Sequence, residues 1–345
     1  MELSQRKKDI LSAIVKMYIL SGEPIGSKIL CASLQNAPSS ATLRNEMSTL
    51  CDMGFLEQPH TSAGRIPTAL GYRLYIESLM NKDELNLEHK RYIDESLASI
   101  HSDPEKITET ASRVISDITG LPSIAANISS VLPRIKRVEL LKMGKTLAMV
   151  ILITTDGRSR SRLVHTSKEL DSPLISKFDE IIKQKVKGKT IEDFTPAHLQ
   201  MIYMAAGMDA MALMPLLSAV FDMTTDIINS AVTLSGQSNM LSLGWNKNDA
   251  EKMITLLKSR DVVKQLFDSQ SSNIGVLFGK DTEYSALCPS SIIYAKYGME
   301  SGASGCIGVI GPTRMSYELI IPSIEYTAKR VDSLLNETYK DMEGF

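Results

Sequence analysis

The segment at residues 39–52, SSATLRNEMSTLCD, carries the side chains best suited to contact another molecule. If it forms a helix, turning about 100° per residue, Leu43, Met47 and Leu50 fall within about 60° of one another and must face a core. The opposite side then carries mostly short polar side chains, at Ala41, Thr42, Arg44, Asn45, Ser48, Thr49 and Asp52. Arginine binds guanine and asparagine binds adenine at base edges in the DNA major groove, whereas a solvated face usually carries Lys and Glu. The pattern favours a DNA recognition helix, although any small three-helix bundle also has polar outer faces.

A second polar segment, QPHTSAGRIPT at residues 58–68, follows that helix. Its prolines, Pro59 and Pro67, can lie at the edge of a sheet but not in a central strand, so the segment predicts a short hairpin with a polar tip. The tip would present four side chains to phosphate or to the minor groove: His60, Thr61, Ser62 and Arg65. Arg65 is the strongest candidate because its guanidinium stays charged. The alternative is a surface loop rich in turn-forming residues, and the recognition-like helix before it favours a wing.

These two segments belong to a predicted compact domain at residues 1–80. The order of its elements is helix, turn, helix, turn, helix, short hairpin and helix. Gly22 is expected to end the first helix, and Ser27 to cap the second. Ser39 or Ser40 can accept hydrogen bonds from the free N–H groups that begin the third helix. This order is that of a winged helix-turn-helix DNA-binding domain.

Charge limits how such a domain can bind DNA. The whole chain has 38 Lys and Arg against 40 Asp and Glu, a formal charge of -2, so affinity for DNA must come from a local patch. Residues 1–80 hold eight Lys or Arg and seven Asp or Glu, a formal charge of +1. Non-specific binding by one copy should be weak, whereas two copies held on an inverted repeat would double the phosphate contacts. The DNA-binding hypothesis therefore requires a homodimer.

A candidate dimer surface occurs later in the chain. Its methionines follow the spacing of a heptad seam: Met201, Met204, Met208 and Met211. The alternative is a seam buried inside its own domain, and the sequence does not separate the two. The surrounding stretch, 201–221, is apolar enough to resemble a membrane span, but Asp209 lies near its middle and Pro215 follows. We therefore expect a buried or interface helix and no membrane association.

The rest of the chain is expected to form an α+β arrangement. Residues 81–104 are densely charged and predict a solvated helical connector. Short β-branched stretches bounded by Gly or Pro predict strands near 138–141, 147–154, 274–278, 292–294 and 307–310. A largely helical stretch, 173–245, separates the early strands from the late ones. The simplest topology is one α+β domain, formed by 105–172 and 246–345, that carries an inserted helical module.

Cysteine and histidine spacing excludes several kinds of site. Four cysteines lie far apart, without a C-x-x-C pair, at Cys31, Cys51, Cys288 and Cys306. This spacing argues against a disulfide framework and a thiolate zinc site and fits a reducing cytosol, and the five histidines offer no metal-ligand spacing. The charged N-terminus lacks the apolar region of a signal peptide. We expect a cytoplasmic protein with no metal and no other cofactor.

Residues that resemble enzyme motifs do not match those motifs in detail. Gly279-Lys280 resembles the end of a phosphate-binding loop, but Gly275 stands one position late and Asp281 replaces the hydroxyl that would bind magnesium. Arginines alternate along one predicted strand, at Arg158, Arg160 and Arg162. A solvated edge strand is a better interpretation of them than a phosphate site. No nucleophile and base are spaced for catalysis, so the sequence predicts a protein that is not an enzyme.

The sequence resembles a known family at both ends of the chain. It is similar to the N-terminal and C-terminal signatures of the heat-inducible transcription repressor HrcA family, at residues 39–47, 56–68, 71–73 and 305–317. Departures in the first domain are small: Leu43 stands where the family usually has isoleucine, and Ala69 where an acid is common. The resemblance implies a winged-helix domain, then a GAF-like α/β domain with an inserted, mostly helical dimerisation module at 173–245.

The resemblance also implies a function. Such a repressor is expected to bind, as a dimer, an inverted-repeat operator called CIRCE upstream of chaperone operons of the groE and dnaK type, until heat stress releases it. The GroE chaperonin is expected to promote its active form. Carried across position by position, the DNA contacts fall on Ser40, Thr42, Arg44, Asn45, His60, Thr61 and Arg65. Ser48 lies on the same predicted helix face. The competing hypothesis is a sensor whose GAF-like domain binds a small ligand and controls the DNA-binding domain.

Overall fold

The structure of the chain, a computed structural model, consists of a small amino-terminal domain, a unit with a five-stranded sheet and a unit with a three-stranded sheet. It describes residues 3–34, 38–61, 63–81, 84–98, 100, 103–127, 132–268, 270, 272–288, 290–298 and 304–343, with side chains up to Thr338. The first two parts share one apolar core, whereas the third part has a core of its own.

The amino-terminal domain, called the head below, has three helices, a hairpin and a fourth helix. Its elements are α1 (Gln5–Ser21), α2 (Ser27–Ser33), α3 (Ser40–Asp52), β1 (Leu56–Glu57), β2 (Ile66–Pro67) and α4 (Ala69–Leu74), which continues as a π-helical turn over Tyr75–Leu79. Its core contains buried side chains from α1 and α3: Ile10, Leu11, Ile14, Val15, Leu43, Met47 and Leu50. The predicted order of elements and the predicted inner face of the third helix are confirmed.

Local hydrogen bonds set the ends of these helices. The Gly22 N–H donates to the Tyr18 carbonyl at 2.9 Å and ends α1, as predicted. The prediction that Ser27 caps α2 is wrong, because Gly26 precedes the helix and Ser27 is its first residue. The Ser27 hydroxyl oxygen instead lies 3.0 Å from that of Ser40, which ties α2 to the start of α3.

The charged connector is less solvated than its composition predicts. It forms α5 (Leu87–Ala98), in which Ile93 and Leu97 are fully buried. The Tyr92 hydroxyl donates to Asp117 on the next helix at 2.9 Å. The connector therefore packs along the following part of the chain rather than crossing solvent.

The remaining elements alternate between the two sheet units. After the connector come α6 (Pro104–Thr119), β3 (Ser123–Asn127), β4 (Ile135–Lys142), β5 (Leu147–Thr154), β6 (Ser159–His165), α7 (Ser172–Ile181, extended by a π-helical turn to Val186), α8 (Pro196–Ala206) and α9 (Ala210–Asn229). They are followed by β7 (Val232–Ser235), α10 (Asn239–Ser242), α11 (Lys247–Leu257), α12 (Arg260–Asp268), β8 (Ile274–Phe278), β9 (Ser290–Gly298), β10 (Ser304–Pro312) and α13 (Tyr317–Glu343). The late strands lie where the sequence predicts them.

The five-stranded sheet is antiparallel, with strand order β7-β3-β10-β9-β8, and is covered on both faces. Ile307 and Val309 of β10 lie in the core shared with α6, α13 and the head. Their neighbours Cys306 and Ile310 point to the other face, where α11 and α12 cover them. This alternation along one strand explains why the central strands are apolar throughout.

Strands β4, β5 and β6 form a separate antiparallel sheet in that order. The expectation that the strands near 138–141 and 147–154 share a sheet with the late strands is therefore wrong, because β5 is paired on both edges by its sequence neighbours. The inner face of β5 is buried in the same core as α7 and α9, at Ala148, Val150 and Leu152. That core runs from Ile135 to Ile227, so the inserted unit begins well before residue 173.

Helices α8 and α9 form a hairpin rather than one continuous helix. The chain breaks at Gly207, whose φ of 61° favours glycine, and a short 3-10 turn covers Gly207–Asp209. The Tyr203 hydroxyl donates to the Met214 carbonyl at 3.1 Å and holds α8 against α9. Five methionines around this turn are exposed and are called the methionine tip: Met201, Met204, Met208, Met211 and Met214. The predicted heptad seam is wrong, and these methionines are not buried inside their own unit.

The same hairpin is the one stretch of the described chain with the length and composition of a membrane span, over Pro196–Asn229. Asp209 at its turn is ion-paired with Lys177 at 2.8 Å. The buried side of α9 packs on the three-stranded sheet. The hairpin is therefore a constituent of a folded unit.

The head is docked on the five-stranded unit through an aromatic cluster. The ring centroid of Tyr72 lies 5.6 Å from that of Tyr317 and 6.4 Å from that of Phe278. Beside the cluster, Arg73 Nη2 lies 2.7 Å from Asp281 Oδ2. One apolar core therefore continues from the head into the sheet unit.

A second ion pair strengthens this docking. Glu318 Oε1 accepts hydrogen bonds from Lys16 Nζ and from the Tyr75 hydroxyl, each at 2.9 Å. The hydrogen bond from Lys16 lowers the pKa of the Glu318 carboxyl, with help from Tyr75 and against the opposing effect of burial. Because the pKa is lowered in the folded protein, this contribution to stability is present above the ordinary pKa of glutamate and is lost as the pH falls below it.

We expect Glu318→Gln to lower the free energy of unfolding at pH 7 by about 0.5–1 kcal/mol, a value limited by the partial exposure of the pair. The deficit relative to wild type should shrink as the pH falls toward about 3, because the wild-type carboxyl is then protonated as well. Urea denaturation at both pH values measures this difference. Glu325→Gln, which breaks an exposed pair with Lys329 on the same helix, is the control. A Glu318→Gln deficit equal at both pH values would contradict the assignment.

Candidate nucleic-acid interface

The outer face of α3 is open to solvent. Ser39 caps the helix, since its hydroxyl oxygen accepts a hydrogen bond from the Thr42 N–H at 3.2 Å. The exposed side chains are the predicted ones: Ala41, Arg44, Asn45, Ser48, Thr49 and Asp52. Within the described residues, no hydrogen bond or ion pair holds the side chains of Arg44, Asn45 and Ser48. These three polar groups are therefore free to meet another molecule.

Ser40 and Thr42 are placed differently from the other residues of this face. Both are half-buried. The Ser40 hydroxyl oxygen lies 3.0 Å from that of Ser27, and Thr42 Oγ1 lies 3.0 Å from Ser39 Oγ. Their hydroxyls position the start of α3 and are only partly available for an external contact.

The tip of the wing is closed by one side chain. Gln58 Nε2 donates to the carbonyls of Thr61 at 2.9 Å and Ala63 at 3.0 Å. The Ala63 N–H donates to the His60 carbonyl at 2.9 Å and tightens the same turn. His60 and Thr61 are exposed at the tip, as predicted, and Ser62 lies outside the described residues. The role of Gln58 in closing the tip was not predicted from the sequence. The signal for it was a long amide side chain three residues before Thr61.

Arg65 lies at the base of the wing, so its predicted place at the tip is wrong. Its backbone pairs with Ile25 through two N–H to O hydrogen bonds of 2.8 and 2.9 Å. Its side chain is half-buried, with Nη1 at 3.5 Å from the Ala63 carbonyl oxygen and Nε buried without a hydrogen-bond partner. The guanidinium nevertheless lies on the lining of an open groove, where its charge and terminal N–H groups suit an anion.

Gly64 allows the wing to pack this closely on the loop before α2. A Cβ at this position would lie 2.4 Å from the carbonyl carbon of Ile25 and 2.7 Å from that of Pro24. Both atoms belong to the backbone and cannot rotate away. The path of the wing therefore requires glycine at this position.

A groove of about 430 Å³ separates α3 from the wing. Arg44 lines it from the helix, and Thr61 and Arg65 line it from the wing. Two arginines on opposite sides of one groove supply positive charge and paired donors, which suit a phosphate or a guanine edge. The sequence predicted both arginines, and the structure brings them to one groove.

Three of the eight Lys and Arg of the head have acidic partners in the described structure. Lys7 pairs with Glu46 at 2.9 Å, which holds that acid away from the outer face of α3. Lys16 and Arg73 pair with acids of the five-stranded unit. In the described structure five Lys and Arg of the head have no acidic partner: Arg6, Lys8, Lys28, Arg44 and Arg65. These five supply the positive charge that phosphates can reach.

Features that resembled other sites have structural roles. Gly279–Asp281 forms a 3-10 turn after β8. Arg160 and Arg162 lie on β6, which is an edge strand as predicted. The alternating arginines are not free in solvent, however, because each is ion-paired within 2.9 Å: Arg158 with Asp156, Arg160 with Glu105, and Arg162 with Asp222 and Asp226. No group of His, Cys, Asp or Glu in the described part of the chain is arranged to hold a metal ion.

Known proteins resemble the chain over its full length. Residues 2–80 match the family model described as winged helix-turn-helix transcription repressor, HrcA DNA-binding, and residues 105–321 match HrcA protein C terminal domain. The heat-inducible transcription repressor HrcA of Acetivibrio thermocellus is 31% identical over 350 residues, covering 100% of both chains. That of Acholeplasma laidlawii is 31% identical over 343 residues, covering 98% of this chain and 99% of the relative. A solved structure described as a hypothetical protein shares the fold, with a TM-score of 0.70 at 21% identity, covering 98% of this chain and 100% of the other.

We expect Gly64→Ala to lower the free energy of unfolding by about 1–3 kcal/mol, because the added Cβ forces the wing away from the backbone of Ile25 and Pro24. Gly298→Ala, at the exposed end of β9, is the control, since a Cβ there meets nothing within 4 Å. Its stability should stay within about 0.5 kcal/mol of wild type. Chemical denaturation of the three proteins makes the comparison. Equal stability of the two variants would show that the wing does not pack as described.

Proposed function

Because the chain belongs to the HrcA family of heat-inducible transcription repressors, we propose that it binds an inverted-repeat operator of the CIRCE type as a homodimer and represses chaperone operons of the groE and dnaK type. It is a DNA-binding transcription repressor and not an enzyme. In this proposal heat stress releases it from the operator. The observation that carries the proposal is the groove with Arg44 and Arg65 on opposite sides, next to the exposed polar face of α3.

The proposed base contacts come from the outer face of α3. Arg44, Asn45 and Ser48 enter the major groove, and their exposure and lack of internal partners support this role. Ser40 and Thr42 hold the start of the helix near the phosphate backbone through the hydroxyls that they keep partly exposed. The helix thus supplies the sequence preference of each head.

The proposed backbone contacts come from the wing. His60 and Thr61 meet phosphate or the minor groove from the exposed tip. Arg65 binds a phosphate at the base of the wing, and its place on the lining of the groove supports this role. The wing thus fixes the orientation of the recognition helix on the duplex.

The proposed homodimer forms through the methionine tip. All five side chains of the tip are exposed, and Met208 is 95% exposed. Exposed apolar surface of this kind is commonly covered by a partner, and methionine adapts its shape to the opposing surface. Two copies double the five free cations of one head, which compensates for the weak charge of the single domain.

The units take these roles in the proposal. Residues 1–80 bind DNA, and residues 81–104 join the head to the five-stranded unit, which corresponds to the GAF-like domain of the family resemblance. The unit whose core runs from Ile135 to Ile227 dimerises. The repressor acts in the cytoplasm, where its operator lies.

Heat release follows from the need for two heads. One head binds weakly, so bivalent binding is lost when the dimer dissociates. A dimer held by so small a contact is marginally stable, and it loses bivalent binding when its units open or aggregate on heating. The role of the GroE chaperonin as promoter of the active form rests on the family resemblance alone.

We expect Arg44→Ala to weaken operator binding by about 1–3 kcal/mol and to relax sequence preference, because it removes a base contact. Arg65→Ala should weaken binding to all sequences and lower the slope of log K against log salt by about one per head. Gel-shift titrations on the palindrome and on a scrambled duplex, at several salt concentrations, separate the two effects.

Lys258→Ala, which removes an exposed lysine just after α11, is the control for lost surface charge. Unchanged affinity and salt slope in both arginine variants would refute the assigned contacts. Wild-type protein that binds the palindrome and the scrambled duplex equally, with and without chaperonin, would refute the operator.

We expect Met208→Glu to shift the chain toward monomers, because it places a charge at the most exposed position of the methionine tip. Met143→Glu is the matched control, since Met143 is 58% exposed in the turn between β4 and β5. Sedimentation equilibrium over a range of protein concentrations gives the dissociation constants. The proposed surface is wrong if the two variants associate equally well.

A further inference from the structure

Exposed methionines are concentrated at one place in this chain. The sequence has 18 methionines. Six of those with described side chains are buried: Met47, Met80, Met223, Met240, Met253 and Met315. Among the described side chains, the exposed methionines are the five of the methionine tip and Met143. Adaptable packing suits methionine to a contact surface, and the thioethers of the tip also bring a reactivity that leucine lacks.

Methionine differs from leucine in its reaction with oxidants. A thioether is oxidised to a sulfoxide, and the rate depends on access. Access is greatest at the tip, where Met208 is 95% exposed. The nearby charges of Lys177 and Asp209 are paired with each other at 2.8 Å. In contrast, Cys306 is fully buried, and burial raises the pKa of its thiol, which makes it a poor target.

We propose that the methionine tip is a peroxide-sensitive modification site that controls association of the chain. In the reaction the sulfur takes one oxygen atom from hydrogen peroxide: an S–O bond forms, the O–O bond breaks, and after a proton shift the other oxygen leaves as water. The sulfur is oxidised by two electrons and the peroxide is reduced by two. Each oxidised side chain becomes a polar sulfoxide.

Sulfoxidation weakens an apolar contact. A buried sulfoxide oxygen needs a hydrogen-bond donor, and the exposed surface of the tip supplies apolar side chains. The consequence rests on the proposed function, in which the tip joins two copies. Oxidation acts on monomers, whose tips are open, and oxidised monomers no longer pair. The operator then loses its bivalent repressor, so an oxidant relieves repression without heat.

The first experiment measures where the full-length chain is oxidised. Hydrogen peroxide is applied briefly at several protein concentrations, and peptide mass spectrometry counts added oxygen at each methionine. The tip should react at least as fast as Met143 when the protein is dilute. Relative to Met143, its rate should fall by about fivefold or more as the concentration passes the dissociation constant. A ratio that does not change while the protein dimerises would place the dimer contact elsewhere, and both proposals would fail.

The second experiment measures what oxidation does. Sedimentation equilibrium of the peroxide-treated chain should give a dissociation constant at least about tenfold higher than that of the untreated chain. A variant with leucine at all five tip positions should dimerise and resist peroxide, whereas Met143→Leu should respond like wild type. Methionine sulfoxide reductases should restore the treated wild type, which separates this effect from oxidation of the exposed Cys288.

The outcomes separate the two proposals. If the tip is protected in the dimer but sulfoxidation leaves the dissociation constant unchanged, the oxidation switch is wrong and the dimer surface stands. If the five-leucine variant loses dimerisation in peroxide as wild type does, the target is another residue and the switch is again wrong.

Discussion

The contact of Tyr72 with Tyr317 and Phe278 is the interaction on which the arrangement of the chain depends. It joins the core of the DNA-binding head to the core of the five-stranded unit. The Tyr72 hydroxyl is buried without a hydrogen-bond partner, and burial raises its pKa, so the ring contacts must outweigh the cost of an unsatisfied polar group. A head held by packing keeps its recognition helix in a fixed orientation. Two heads can bind the two half-sites of one operator at the same time only if each recognition helix is held in a fixed orientation.

Local charge, not net charge, supports DNA binding by this chain. The ion pairs of Lys16 and Arg73 dock the head and remove two cations from the surface. The pair of Lys7 and Glu46 removes a third cation and also the acid closest to the middle of α3. The cations without an acidic partner include Arg44 at the groove. Part of the unpaired positive charge of the head therefore lies where bases would be contacted. Because few phosphates can be neutralised by one head, the proposed operator binding needs two heads joined in one dimer.

The sequence predicted those features that depend on local periodicity. A helical period placed Leu43 and Met47 inside and Asn45 outside, and the structure agrees. The sequence did not predict which strands pair with each other, because an apolar strand has the same residue pattern in either sheet. In the structure β5 pairs with its sequence neighbours β4 and β6. The predicted position of Arg65 at the wing tip was also wrong, because its position depends on backbone pairing with Ile25, forty residues earlier in the chain.

The break at Gly207 also escaped prediction, and it changes the physical nature of the proposed dimer contact. A continuous heptad seam would bury a long stripe of methionines and give a tight dimer. A hairpin turn instead presents five flexible side chains on a small convex surface, where little apolar area can be buried. In the proposed dimer a small contact of this kind would be weak, so a small loss of contact energy would produce a large fall in dimer. If operator binding needs two heads, as proposed, operator occupancy follows the dimer, and a perturbation at the turn would change repression without any movement of the recognition helix.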